Sequence, residues 1–137
     1  MEITPYLNFN GNCAEAFRFY EKCLGGKIEM MATHGETPMK DHVPAELHDK
    51  VMHVRMLVGS QALMGSDTPP ERYERPQGTY VSISLESFDE GKRIFSELSS
   101  NGKVIMPFDK TFWSPGFGMA VDRFGIPWMV NCEPGKA

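Results

Sequence analysis

The chain has 137 residues, 41% hydrophobic and 23% charged, the size and balance of one ordinary folded domain, which excludes a disordered chain or one that needs stapling. Its net charge of −4, with Lys and Arg scattered rather than clustered, leaves no phosphate footprint and argues against a nucleic-acid partner. No apolar run approaches the roughly 20 residues that span a bilayer, and the opening MEITPYLNFNG lacks a signal-peptide pattern, so no membrane partner and a cytoplasmic location are expected.

Residues 3–9 read as a strand, with Leu7 and Phe9 on one face and Tyr6 and Asn8 on the other. Asn10-Gly11-Asn12 breaks the strand and offers a helix cap. Residues 14–24 then place Ala16, Phe17, Phe19, Tyr20, Cys23 and Leu24 in one helical stripe, stopped by Gly25-Gly26. A second strand covers 27–33. The polar, Pro-interrupted stretch 34–50 is a long loop, of the kind that covers a site or meets a partner. Strands at 53–58 and 61–65 flank a turn at Gly59-Ser60. Residues 66–78, with Pro69, Pro70, Pro76 and Gly78, have the composition of a linker.

The same order of elements then recurs. A strand is expected at 79–85, a helix at 88–100 with Gly91, Ile94, Phe95 and Leu98 inward, and strands at 104–106, 118–121 and 127–132. Displacing the sequence by 76 residues sets Leu7 on Ile83, Phe9 on Leu85 and Gly26-Lys27 on Gly102-Lys103, while the helices fit better at 75. This weak repeat predicts an α+β fold of two tandem βαβββ modules in a single domain, the first at about 1–66, a linker at about 67–78 and the second at about 79–137. It fixes neither strand order nor pairing.

Alternation assigns the faces. On the third strand Met52, Val54, Met56 and Val58 should pack under the helix, leaving His53, Arg55 and Leu57 opposite. Tyr80, Ser82 and Ser84 face the same way on the fifth, and Pro127, Met129 and Asn131 on the last, with Ile126, Trp128 and Val130 as core. A face that mixes aromatic, Met and polar groups suits a small organic ligand held in a cavity. Tyr6, Asn8 and Met64 join the lining by parity alone. Trp113 and Phe117 form its lip or a dimer staple. His53, aimed at the same side as Arg55, is either a histidine satisfied within the sheet or a general acid/base and ligand partner, with Arg55 binding an anionic group. Asp122 and Arg123 belong to a turn. His34, His42 and His48 read as solvated loop residues. Cys13, Cys23 and Cys132 are spaced for neither a metal clamp nor a disulfide framework, so reduced structural thiols are expected.

The segments PYLNFNGNCAEAFRFYEKCLGG, HVRMLVGSQALMGSD and TFWSPGFGMAVDRFGIPWMVNC closely resemble the PhnB-like branch of the glyoxalase/bleomycin-resistance/dioxygenase (vicinal-oxygen-chelate) superfamily, a branch often given a demethylubiquinone-methyltransferase-like domain label. The resemblance implies two βαβββ modules per chain and a homodimer in which modules complete one another. It does not select a reaction, because the superfamily spans isomerases, lyases, dioxygenases and sequestering proteins. Methyl transfer is disfavoured, since the chain offers no run of βα units with a Gly-rich turn between strand and helix. Metal-using members hold a divalent ion with His, Gln or Glu from the first, fourth, fifth and eighth strands. The corresponding positions here fall among Thr4, Pro5 and Tyr6, then Met64, then Tyr80 or Ser82, then Met129 or Asn131, and none is a good ligand. No cofactor is therefore expected. The leading expectation is a metal-free protein that binds an unidentified small organic molecule. The alternative is a glyoxalase- or dioxygenase-type lyase or isomerase using a divalent metal on unexpected ligands, or His53 acid/base chemistry.

Overall fold

The computed structural model describes residues 1–134 and divides into two units, Met1–Glu74 and Arg75–Ala137. Residues 135–137, which the sequence places in the second module, lie outside the described residues.

The first unit runs β1 (Tyr6–Phe9), α1 (Cys13–Leu24), β2 (Lys27–Thr33), β3 (Val51–Val58) and β4 (Gln61–Asp67), in the sheet order β1-β4-β3-β2. Only β1 and β4 pair in parallel within this sheet. The second unit repeats the plan with β5 (Val81–Leu85), α2 (Phe88–Ser99), β6 (Lys103–Asp109), β7 (Gly116–Val121) and β8 (Pro127–Cys132), in the order β5-β8-β7-β6. This is the α+β, twice-βαβββ architecture that the sequence predicts. Neither sheet is doubly wound, so the methyltransferase label gains no structural support.

Each helix covers one face of its own sheet. In α1, Cys13, Ala16, Phe17, Tyr20 and Cys23 are buried, and the sheet meets them with Phe9, Val54, Met56 and Leu63. In α2, Gly91, Ile94, Phe95 and Leu98 are buried, with Ala120, Trp128, Val130 and Cys132 in the strands of that unit. Burying a large apolar side chain contributes about 1.5–3 kcal/mol, so these stripes hold the helices down. Two strand glycines permit the close approach. A Cβ on Gly65 would lie 2.7 Å from the Phe17 ring, and one on Gly118 would lie 2.7 Å from the Phe95 ring.

Several expected boundaries shift, each for a visible reason. β1 begins at Tyr6 rather than residue 3, because Pro5 has no N–H for a ladder, although its carbonyl accepts from Met64 N–H at 3.1 Å. Tyr80 falls outside β5. With Val81 opposite Trp128, Tyr80 would face Pro127, whose nitrogen has no hydrogen to donate. β4 runs on through Ser66 and Asp67, which the composition assigns to a linker, because Asn8 and Phe9 of β1 pair with them. Met52 does not pack under α1. A register slip sets Thr33 opposite Val51 and Ala32 opposite His53, so Met52 is the extra residue and is 37% exposed while Val51 is buried. Pro127, assigned by alternation to the face away from the helix, is also buried.

The loop 34–50 holds three 3-10 turns, His34–Glu36, Lys40–His42 and Ala45–Leu47. His48 is not a solvated loop histidine. Its Nε2 lies 2.9 Å from the Lys40 carbonyl and 3.0 Å from that of Val43, which ties the loop to itself. His34 is half-buried as well, and its Nε2 is buried without a hydrogen-bond partner among the described residues.

Candidate functional site

In the first unit, strand register gathers the predicted residues on the face turned away from α1. Tyr6 stands opposite Met64, Met64 opposite Arg55, and Arg55 opposite Met30, forming one row across all four strands. Asn8, opposite Ser66, and His53, opposite Ala32, belong to the next row. Four of the predicted residues are in contact. Tyr6 Oη is 3.1 Å from His53 Nδ1, and the two rings stack with centroids 5.7 Å apart and planes inclined by 22°. Arg55 donates from Nε to Glu29 Oε2 at 3.0 Å and from Nη2 to Glu2 Oε1 at 3.4 Å, and its Nη1 lies 3.8 Å from the Met64 sulfur.

This geometry changes the expected part of Arg55. Its guanidinium already has two carboxylate partners, so the local charge is one positive against two negative. An anion approaching Arg55 meets that surplus of negative charge, and a neutral ligand does not. The sequence reading missed Glu29 and Glu2. Glu29 reaches Arg55 because a bulge between Ile28 and Met30 makes it the unpaired residue of β2, and no alternation pattern announces a bulge.

In the second unit, Ser82 stands opposite Met129, Met129 opposite Met119, and Met119 opposite Met106. The neighbouring row is Ser84, Asn131, Phe117 and Asp109. Trp113 packs edge-to-face on Phe117 with centroids 5.4 Å apart, and Phe112 packs on Trp113 at 4.8 Å. Tyr80, outside the ladder and 37% exposed, is not part of these rows. Each face is described within its own unit.

The donors do not suit a divalent ion of the kind the superfamily uses. The paired positions on β1 and β4 present a phenol and a thioether, and those on β5 and β8 a hydroxyl and a thioether. Such ions favour imidazole and carboxylate, and thioethers are soft ligands. Among the described residues no three His, Cys, Asp or Glu side chains gather where an ion could sit.

Two buried carboxylates outside these faces also escaped the sequence reading as interior groups. Asp67 Oδ1 accepts from the backbone N–H of Gly11 at 2.9 Å and of Cys13 at 3.0 Å, and its Oδ2 from that of Val51 at 2.9 Å. It thereby caps α1 in place of Asn12, whose side chain makes no capping bond. Asp122 Oδ1 accepts from Phe124 and Ile126 N–H, and Oδ2 from Trp128 Nε1 at 2.8 Å, which is the turn role expected of it. The three cysteines are buried and unbridged. Burial, reinforced by the charge of Asp67, pushes the Cys13 thiol well above the ordinary thiol range, and burial raises that of Cys132. Neither is poised as a nucleophile.

Comparison with known proteins agrees with the architecture. The family model described as Glyoxalase/Bleomycin resistance protein/Dioxygenase superfamily matches residues 3–130. Protein YjdN of Escherichia coli strain K12 is 32% identical over 139 aligned positions, covering 96% of this chain and 95% of its own. The crystal structure of protein PA1353 from Pseudomonas aeruginosa superposes with a TM-score of 0.90 at 48% identity, covering 98% of this chain and 99% of that one. A PhnB protein from Bacillus cereus shares the fold, with a TM-score of 0.81 at 22% identity over 96% of this chain and 99% of its own.

Proposed function

Because the chain belongs to the glyoxalase/bleomycin resistance protein/dioxygenase superfamily, we propose that it is a metal-free small-molecule binding protein that uses the sheet faces turned away from its helices. The observation that carries this reading is the hydrogen-bonded stack of Tyr6 on His53 beside the Arg55 cluster, set on strands and left partly exposed. Polar groups held on a rigid sheet and absent from the core are what an oriented ligand contact needs. The balance of Glu2, Glu29 and Arg55 favours a neutral organic ligand with hydrogen-bonding groups. A cytoplasmic homodimer is part of the proposal, since the superfamily's half-barrels are completed by pairing modules.

A thermal-shift screen of small organic compounds tests it. Ligands present at about 100 times Kd should stabilise the protein by about 2.7 kcal/mol, and His53→Ala or Tyr6→Phe should remove much of that shift. The reading fails if nothing binds, or if binding ignores both substitutions.

A second reading, catalysis by His53, is favoured by one contact. The Tyr6 phenol engages Nδ1, leaving Nε2 to exchange a proton with a substrate. A His53→Ala variant that retains both binding and turnover removes it. Elemental analysis after reloading with Mn, Fe, Co, Ni and Zn should find no stoichiometric ion. One ion per chain would instead restore a metal-dependent lyase, isomerase or dioxygenase.

A further inference from the structure

The second unit carries a polar atom that its own fold leaves unmet. Asn131 Oδ1 is buried and has no hydrogen-bond partner among the described residues. A buried acceptor without a donor destabilises a protein, so its persistence calls for an explanation. Its surroundings supply one. Asn131 lies between Ser84 of β5 and Phe117 of β7 in strand register, on the face turned away from α2. Phe117 is met edge-on by Trp113, which is 50% exposed and offers an aromatic surface. The adjacent row brings Met129 and Met119 beside these residues. Thioethers adapt to irregular outlines and make favourable contacts with ring edges.

We infer that this face holds a subsite for a planar aromatic molecule with an N–H or O–H donor on its edge, the ring lying against Trp113 and Phe117 and the half-buried Asn131 turning its amide so that Oδ1 accepts from that donor. The hydroxyl of Ser84, next to Asn131 in register, supplies a second polar contact on the same side. An aliphatic ligand would leave the aromatic surface unused, and a ring without a donor would leave the amide oxygen unmet. The inference rests on the small-molecule-binding reading and narrows its ligand.

The test is an NMR titration of the full chain with indole and with 1-methylindole, which have the same ring system but differ in the N–H. Indole should shift the Trp113 indole N–H and the backbone amides of Phe117 and Asn131, and should bind about tenfold more tightly than 1-methylindole, as one buried hydrogen bond predicts. Asn131→Leu should erase that ratio without lowering Tm, since it replaces an unmet acceptor with an apolar side chain of similar size. Trp113→Ala, at an exposed position, should weaken indole at least fivefold and keep the fold, which covers the case in which the Leu variant does not fold. Equal affinities for the two probes, no perturbation at these residues, or a lower Tm in a folded Asn131→Leu variant (the sign of a structural bound water) overturns the inference. Indole shifts confined to Tyr6 and His53 would overturn it while leaving the binding-protein reading in place. Failure of every compound in the wider screen removes that reading itself.

Discussion

Asp122 meets three donors with its two carboxylate oxygens, and one of those donors is the indole N–H of the fully buried Trp128. Replacing it by Ala takes this acceptor from the buried Ile126 and Trp128 donors and from the part-buried Phe124 N–H, and a buried donor that loses its acceptor costs about 1–3 kcal/mol. Asp122→Ala should therefore lose about 3–5 kcal/mol in urea unfolding. Asp122→Asn should lose less, since one oxygen remains but its NH2 group cannot serve both sides. Cys13 supplies a pH prediction. Its folded-state thiol is held above the ordinary thiol value, so the unfolded chain ionises first as pH rises. The associated stability is complete below that ordinary value and is lost as pH climbs beyond it, by about 1.4 kcal/mol per pH unit for one thiol. Between pH 9 and 10.5 the wild type should lose stability more steeply than Cys13→Ala, measured by denaturant unfolding at each pH. At this scale the sequence revealed the turn role of Asp122, because its carboxylate serves N–H groups two and four residues away. It hid Asp67, whose partner Gly11 lies 56 residues earlier and whose role depends on a strand pairing that no local pattern fixes.

Among the elements, α1 and β4 fit closely at Gly65. A methyl group on Gly65 would meet the Phe17 ring at 2.7 Å and the Leu7 carbonyl at 2.8 Å, and the backbone partner cannot rotate away. Gly65→Ala should destabilise the first unit by about 2 kcal/mol through overpacking, read as a lowered urea midpoint with an unchanged m-value. The strands were legible wherever alternation ran unbroken. Val54 and Met56 are buried, and His53 and Arg55 look the other way, as period two requires. Legibility failed at the bulges. β2 carries one at Glu29, β3 has its extra residue at Met52, and β6 slips twice between Val104 and Asp109. A bulge turns successive side chains off their expected faces without changing composition, so Met52 was misassigned and the Glu29–Arg55 pair went unseen.

For the whole molecule, the tandem βαβββ plan was readable because it is written twice. Each copy of a strand, helix and three strands supported the other, and the helices do begin 75 residues apart, at Cys13 and Phe88. Of the candidate residues, alternation placed Tyr6, His53, Arg55 and Met64 on one face of the first sheet and Ser82 and Met129 on one face of the second, where unbroken strand carries them. Charge balance around Arg55 and the unmet oxygen of Asn131 depend on partners, or the lack of them, across strands, and these follow from register alone. The proposed homodimer predicts a particle of twice the 15.4 kDa chain mass in light scattering at micromolar concentration, and a monomer under those conditions would remove that part of the proposal.

The parallel pairing of β1 with β4 sets the order in which this surface comes into being. β2, β3 and β4 are neighbours in both sequence and space, whereas Tyr6 must find Met64, 58 residues further along. Closing that longer loop is entropically harder, so the antiparallel meander should form first and β1 should dock late. Hydrogen exchange should then find the four-residue β1 opening ahead of β3 under native conditions. Tyr6 is the part of the Tyr6–His53 stack carried on that strand. The proposed ligand face of the first unit would thus be finished last in folding, and a bound molecule that touches Tyr6 would act as the clasp that keeps the edge strand in place.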